Sequence, residues 1–269
     1  MNDIEKYRDL DDEIFEELKE YFPKTVNSNF KKEYPTTYML INMFDTSATF
    51  IKNSIFDSCE TDDYYGVKVL FRSLIEHFIR FKYLFVNWGK TKSDLFAKRY
   101  LDYGSAREVL DLIKAKVSEQ QLFSPKFKIE DWDNFLKEHP DFVDKSRKEV
   151  DVETQKYTFR NIVKFLNEEF KKGNYEMSSF LGHLIVEYSN LSSFVHGGMK
   201  SYQEMMKANT EDKRMKEYDR LSGLTFQMSS SIKLFSILMY VQTDRELFSG
   251  HYLKLDKILK KQNAKFGKE

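Results

Sequence analysis

Two short segments of the chain carry the side chains best suited to bind or cleave a phosphate group. The first is Arg72-Ser-Leu-Ile-Glu76, and the second is residues 188–197, Tyr-Ser-Asn-Leu-Ser-Ser-Phe-Val-His-Gly. Arginine holds phosphate oxygens through its fixed, forked donors, and histidine exchanges protons near neutral pH. We therefore expect the functional site to lie where these two segments meet.

Helix geometry decides which side chains of the first segment can act together. At about 100° per residue, Arg72 and Glu76 fall within about 40° of each other, opposite an apolar face. A polar stripe opposite an apolar face is either a solvated surface or one wall of a polar cavity. On an exposed surface, an Arg–Glu pair of this kind contributes only about 0.3–0.5 kcal/mol. Arg72 and His77 have the spacing Arg-x4-His, yet they point about 140° apart on an unbroken helix. Glu76 is therefore the predicted partner of Arg72.

The second segment places a histidine at the end of a predicted helix. Ser192 and His196 lie within about 60° of each other around that helix, and Tyr188 precedes them by one turn. The glycines at 197 and 198 end the helix, and a helix C-terminus favours the protonated imidazole. Such a histidine is suited to binding or attacking a phosphate group. The alternative is a histidine that caps its own helix, with serines that allow close helix packing.

Patterns for other chemistries are missing from the sequence. There is no Walker A loop, no Rossmann glycine pattern and no nucleophile elbow. His183 and Glu187 are one helical turn apart, but no third ligand follows at the spacing of a metal site. We therefore expect neither a metal nor an organic cofactor.

Composition restricts the classes of partner and compartment. The 43 basic residues balance 43 acidic ones. The overall charge therefore gives no reason to bind nucleic acid or an anionic membrane, although a neutral net charge still allows a local basic patch. Cys59 is the only cysteine, which fits a reducing cytosol. The N-terminus lacks the apolar core of a signal peptide. Uncharged stretches such as 34–44 are far shorter than the roughly 20 residues that span a bilayer. We expect a soluble, cytoplasmic protein without membrane contact.

Hydrophobic periodicity predicts helices throughout and no convincing strand. The predicted helices are 3–22, 36–60, 62–88, 92–119, 147–171, 176–196, 201–218 and 220–248, with a connection and a short helix at 120–145. The predicted fold class is all-α, a single multi-helix bundle domain with long antiparallel helices over 35–250. Residues 1–34 form an N-terminal helical extension. The basic tail 251–269 is interpreted as a solvated helix end or a frayed terminus.

Four elements in a fixed order resemble a widespread bacterial helical domain family of unknown function. They are Arg72-Ser-Leu-Ile-Glu76, Arg99-Tyr-Leu-Asp-Tyr103-Gly, the stretch 161–175, and residues 188–197. That family is typified by an Arg-Ser-Leu-x-Glu helix and a Ser-x-x-Val-His element, and the similarity covers about residues 35–245. The family in turn looks like the HEPN superfamily (higher eukaryotes and prokaryotes nucleotide-binding).

The HEPN resemblance carries expectations about activity and partners. HEPN ribonucleases are often homodimers that cleave RNA without a metal, and they are frequent in toxin–antitoxin and anti-phage systems. Their Arg-Asn-x-x-x-His motif is incomplete in this chain, because Leu191 and Ser192 stand where the arginine and its polar neighbour would be. The resemblance therefore implies a HEPN-like bundle whose site is either inactive or completed by Arg72 from the other helix. It also implies RNA as a partner and a cognate regulator or antitoxin.

Two functions follow from these observations, and the sequence leaves both open. The first is a metal-independent ribonuclease that acts as a toxin or anti-phage defence effector. In it, Arg72 holds the scissile phosphate, His196 acts as acid or base, and two further side chains, Glu76 and Ser192, orient them. Three residues complete the substrate pocket, namely Tyr103, Arg107 and Tyr188.

The alternative function is a non-catalytic helical sensor or interaction module. Its polar pocket would bind a nucleotide or a partner, and Arg72, Glu76 and Tyr188 would form a buried hydrogen-bonded network.

Overall fold

The computed structural model describes residues 3–123, 131–173 and 177–266. Across these ranges the regular structure is helical and contains no strand, which confirms the predicted all-α class. The helices are, in chain order, α1 (Asp3–Leu18), α2 (Tyr21–Val26), α3 (Asn29–Glu33), α4 (Pro35–Glu60), α5 (Tyr64–Thr91), α6 (Leu95–Phe123), α7 (Asp131–Glu138), α8 (Arg147–Gln155), α9 (Phe159–Gly173), α10 (Met177–Val195), α11 (Met199–Lys207), α12 (Glu211–Val241) and α13 (Arg245–Phe266). A 3₁₀ turn, Pro140–Phe142, lies between α7 and α8.

The helix α5 is the centre of the bundle. It begins where the Asp63 side chain accepts a hydrogen bond from the Gly66 N–H, and it ends at Lys92, whose φ of 46° is left-handed. Its buried apolar side chains include Phe71, Leu74 and Phe78. They pack against α4, α12, α10, α9 and α6. Because α5 is covered on so many sides, its polar side chains must find partners within the protein or open into a cleft.

The remaining helices form layers around this centre. The helix α6 packs against α4 and α5 on one face and carries α7 and α8 on the other, while α9 and α10 pack on α5. The N-terminus of α4 is fixed by Asp94, whose carboxylate accepts hydrogen bonds from the N–H groups of Thr36 and Thr37 at 3.2 and 2.7 Å. This contact ties α4 to the segment that connects α5 and α6.

The first and last helices pack on the bundle. The helix α1 contacts α12 and α13, and it buries Ile4, Ile14 and Leu18. The helix α13 packs on α12 and buries Phe248 and Leu255. The predicted boundary at residue 34 falls between α3 and α4, whereas the boundary at residue 250 falls inside α13.

Several predicted helix limits differ from the structure, and each difference has a local cause. The first helix ends at Leu18, and Pro23 lies in the first turn of α2, where its missing N–H is not needed. The predicted helix 147–171 is two helices, because Tyr157 leaves the helical path and buries its ring against Tyr100 and Tyr103. The predicted limit near residue 219, between helices 201–218 and 220–248, is absent because no helix-breaking residue lies there and α12 continues through it. The break lies at residues 208–210 instead.

Lys82 on α5 is a buried amine without a carboxylate partner among the residues that the structure describes. Its side chain is 3% exposed, and its Nζ lies 3.2 Å from the centre of the Phe235 ring. Burial lowers the pKa of Lys82 from 10.5 to about 7. The aromatic ring offsets part of the cost of burying this charge, but the lowered pKa means that burial still outweighs it.

The lowered pKa of Lys82 predicts a pH-dependent stability. The unfolded chain binds more protons at this position between about pH 7 and 10.5, so the stability of the folded protein rises with pH across that window. Below pH 7 the full penalty is present. We expect Lys82→Met to raise the free energy of unfolding by about 2 kcal/mol at neutral pH and by far less near pH 10. Urea unfolding at a series of pH values measures this.

The matched control for this prediction is Lys216→Met, because Lys216 is exposed on α12. Its free energy of unfolding should follow the wild-type pH dependence. A Lys82→Met protein that is no more stable than the wild type at neutral pH would contradict the assignment of a strained, buried ammonium.

Candidate functional site

A cleft of about 570 Å³ opens between α4, α5, α6 and the turn that joins α8 to α9. Three basic side chains line it, with His77 and Arg80 on α5 and Arg107 on α6. Aromatic rings form much of the remaining wall, and these are Phe44, Tyr100, Tyr157 and Phe159. Two carboxylates, Glu108 and Asp111, also line it, so the cleft combines charges of both signs with flat apolar surface.

The guanidinium of Arg80 is held at the cleft by an acidic neighbour on its own helix. Its Nε and Nη2 donate to Glu76 Oε1 at 3.1 and 2.7 Å. Its Nη1 donates to the Tyr157 carbonyl oxygen at 3.3 Å. Contacts from both sides restrict the side chain to one position, so the charge is pre-organised for a ligand.

Arg107 approaches the same cleft from α6, and two carboxylates lie beside its guanidinium. Its Nε donates to Asp111 Oδ2 at 2.8 Å, and its Nη1 lies 3.6 Å from Asp151 Oδ1. That Nη1 is buried and has no hydrogen-bond partner. An unsatisfied buried donor costs free energy, and the attraction of the Asp151 carboxylate offsets part of that cost.

His77 supplies the cleft with a titratable ring. Its Nδ1 lies 2.9 Å from the Ser73 carbonyl oxygen. A carbonyl can only accept, so Nδ1 carries the proton, and in the neutral ring Nε2 is the acceptor. The ring meets Phe44 edge-on with centroids 6.4 Å apart. His77 is thus oriented by its own helix and by the cleft wall.

A hydrogen-bonded network lies beside the cleft and joins α5 to α10. The Tyr188 hydroxyl accepts from Arg72 Nη2 at 2.8 Å and donates to Glu76 Oε2 at 3.3 Å. The Arg72 guanidinium also lies 4.3 Å from the centre of the Tyr188 ring. Burial, together with the Glu76 charge, raises the pKa of the Tyr188 phenol. Phe159 stacks on Tyr188 at 3.8 Å and connects the network to the cleft, which it lines.

The predicted direct pairing of Arg72 with Glu76 is wrong. Glu76 pairs with Arg80, and it reaches Arg72 only through the Tyr188 hydroxyl. A glutamate pairs better with a cation one turn later in the helix than with one a turn earlier. Arg72 is therefore free to turn towards α10.

Ser192 and His196 do not join this network. The Ser192 hydroxyl donates to the Tyr188 carbonyl oxygen on its own helix at 3.1 Å. His196 is exposed and lies eight residues beyond Tyr188, about 12 Å further along the helix axis. The helices α5 and α10 run antiparallel, since Tyr65 near the start of α5 donates to the Phe194 carbonyl. No hydrogen bond joins Arg72 to His196, so the catalytic roles given to them stay predictions.

The predicted helix end after His196 is present. Gly197 has a φ of +62°, a left-handed conformation that glycine adopts without strain. The Gly198 N–H donates to the Ser193 carbonyl oxygen at 2.7 Å, as in a C-terminal capping motif.

The two predicted pocket residues on α6 have different positions. Arg107 lines the cleft. Tyr103 is buried behind the cleft wall, where its ring stacks on Tyr157 at 6.0 Å and its hydroxyl accepts from Lys145 Nζ at 2.7 Å. Tyr103 therefore supports the wall without lining the cleft.

Sequence reasoning missed Arg80 and Tyr157 and gave His77 no role in the cleft. The favourable Glu76-to-Arg80 spacing could have identified Arg80. The hydrophobic pattern predicts that Tyr157 lies inside a helix, and only its tertiary contacts reveal that it lies at a turn.

This structure defines an all-α bundle in which a polar network and a charged, aromatic cleft adjoin one central helix. A family model described as "Family of unknown function (DUF5677)" matches residues 38–214, and the chain belongs to this family. The match confirms the predicted membership of a family of unknown function, and it includes the cleft and the network. No curated protein and no solved structure matches the chain.

Two further findings concern the described part of the chain. None of its helices is apolar over a length that would cross a membrane. It also contains no group of three or more histidine, cysteine, aspartate or glutamate side chains placed to hold a metal ion.

The Tyr188 hydroxyl is predicted to stabilise the packing of α10 on α5. Tyr188→Phe leaves Arg72 Nη2 and Glu76 Oε2 without their shared partner while it keeps the ring stack with Phe159. We expect it to lower the free energy of unfolding by about 1–2 kcal/mol. Urea unfolding followed by circular dichroism measures the change.

Tyr202→Phe is the control for this substitution, because Tyr202 is 56% exposed on α11. It should leave the unfolding midpoint unchanged. Equal midpoints for wild type and Tyr188→Phe would show that the network contributes no stability.

Proposed function

We propose that this protein is a helical sensor or interaction module whose cleft binds a nucleotide. The observation that carries the proposal is the convergence of His77, Arg80 and Arg107 on one cleft walled by aromatic rings. Arginine donors match phosphate oxygens, and aromatic rings stack on nucleobases. A volume of about 570 Å³ is within the range of small-molecule sites, roughly 300–1,000 Å³.

The acidic side chains of the cleft support a single small ligand over a long polyanion. Glu108 and Asp111 line the cleft beside Arg107. Carboxylates repel an extended phosphate backbone, but they accept hydrogen bonds from sugar hydroxyls or amino groups. Arg107 lines the same cleft, and its guanidinium is suited to one phosphate group. As part of this proposal we place the protein in the cytoplasm, where nucleotides are abundant and the lone, buried Cys59 stays reduced.

A metal-independent ribonuclease, acting as a toxin or defence effector, is the second candidate function. One observation favours it, because His77 provides a proton donor or acceptor in the same cleft as Arg80 and Arg107. RNA as substrate, a homodimer, a cognate antitoxin and a HEPN relationship are parts of this second proposal. The separation of His196 from Arg72 shifts the acid–base role in it to His77.

Nucleotide binding is tested by isothermal titration calorimetry with adenosine mono-, di- and triphosphate and with adenosine. The proposal expects the phosphorylated ligands to bind more tightly than the nucleoside. Arg107→Ala should weaken their binding at least about tenfold, which corresponds to about 1.4 kcal/mol. Arg245→Ala is the control, because Arg245 is exposed on α13. Equal affinities in the two variants, or no binding of any nucleotide, would overturn the proposal.

The two candidate functions differ in an RNA-cleavage assay with EDTA present. The binding module is expected to leave RNA intact. Cleavage by the wild type that His77→Ala abolishes and His196→Ala retains would replace it with the ribonuclease. Circular dichroism of both variants shows whether they are folded.

A further inference from the structure

A second cleft, of about 210 Å³, lies between α1, α2, α4 and α12, and it is separate from the cleft at His77. Its floor is charged. Asp45, Thr49 and Lys52 follow one face of α4, while Asp11 comes from α1 and Lys233 from α12. Asp11 and Lys233 lie outside residues 38–214, so this cleft is not contained in the part of the chain that matches the family.

The lysines of this floor have more donors than the described residues use. The Lys52 side chain is 1% exposed, and its ammonium donates to Asp11 Oδ2 alone. Lys233 Nζ donates to Asp45 Oδ1 at 2.7 Å and to Thr49 Oγ1 at 3.0 Å. An ammonium carries three donors, so Lys52 has two to spare and Lys233 has one.

The carboxylates of the same floor have spare acceptors. Asp11 uses Oδ2 for Lys52, and Asp45 uses Oδ1 for Lys233. The second oxygen of each carboxylate makes no hydrogen bond within the described structure. Spare donors and spare acceptors therefore lie side by side in one cleft.

Burial is the largest influence on the ammonium of Lys52. Burial lowers the pKa of Lys52, and the nearby Lys233 adds to this lowering despite the attraction of Asp11. A buried ammonium with one acceptor is costly. An additional anionic group between the two lysines would stabilise both.

The rim of this cleft is aromatic and open to solvent. Phe15, Phe22 and Phe50 line it, and they are 54%, 38% and 67% exposed. Exposed phenylalanines around a charged floor are suited to a ligand with a charged end and an apolar end.

We propose that this second cleft binds a free α-amino acid with an apolar side chain. Its carboxylate accepts a hydrogen bond from Lys233 and lies near the buried charge of Lys52, its ammonium donates to the spare oxygens of Asp11 and Asp45, and its side chain packs on the phenylalanine rim. A cleft of 210 Å³ is smaller than the roughly 300 Å³ at which sites for drug-sized ligands begin, so the ligand is small.

Ligands of other classes pair with only half of the charged groups on the floor of this cleft. A simple anion would pair with the lysines but would meet two carboxylates, and an organic cation would leave the lysine donors unsatisfied. A zwitterion pairs with both sets and adds no net charge to a floor whose own charges balance.

Calorimetry and thermal unfolding of the full chain with L-leucine, L-methionine and L-phenylalanine test the proposal. At least one should bind and raise the melting temperature. N-acetyl-L-leucine lacks the ammonium and L-leucinamide lacks the carboxylate, so each should bind at least about tenfold more weakly than L-leucine or its best-binding analogue. Absence of binding by all three amino acids at about 10 mM, or equal binding of the blocked derivatives, overturns the proposal.

Two variants locate the binding. Asp45→Asn keeps the shape and one acceptor for Lys233, and Phe50→Ser changes an exposed rim residue that the fold does not need. Each should weaken amino-acid binding at least about tenfold. Phe123→Ser, at a position 80% exposed on α6, is the control for the rim variant. Arg107→Ala should leave amino-acid binding unchanged. Wild-type affinity in both Asp45→Asn and Phe50→Ser overturns the proposed site.

Discussion

The burial of α5 is the constraint on which the rest of the structure depends. The helices α4, α6, α9, α10 and α12 pack on it, yet it carries several charged side chains among its apolar ones. Its charged side chains are stabilised by different kinds of contact. Lys68 pairs with Glu217 on α12, Arg72 turns to Tyr188 on α10, and Lys82 lies against an aromatic ring. Polar groups on the enclosed part of such a helix need partners within the protein, so these contacts also fix its neighbours.

Glu76 connects this constraint to the cleft. One of its oxygens accepts from Arg80 and the other from the Tyr188 hydroxyl, so a single carboxylate positions a cleft arginine and holds α10 to α5. Rigid placement of a cationic group before a ligand arrives lowers the entropy cost of binding. The network is therefore structural support for the cleft, which His77, Arg80 and Arg107 line.

Local features of the sequence predict local features of the structure. The apolar period of α5 and the glycine after His196 are examples, because a helix face and a left-handed cap depend on residues close in the chain. The turn at Tyr157 is different, because it depends on packing between helices. The network of Arg72, Glu76 and Tyr188 is predicted as part of the alternative function, and the Tyr188 hydroxyl joins its three members. Helix periodicity identifies the face on which Arg72 lies but not the helix that meets that face, so the cleft itself could not be predicted.

We propose the cleft at His77, and not the helix end at His196, as the functional site. Titration with adenosine monophosphate, followed by NMR of the imidazole resonances of the five histidines, distinguishes the two positions. Substitution of His77 and of His196 assigns the two resonances. We expect the His77 resonance to shift in a saturable way while the His196 resonance stays in place. A saturable shift of His196 with an unchanged His77 would contradict it.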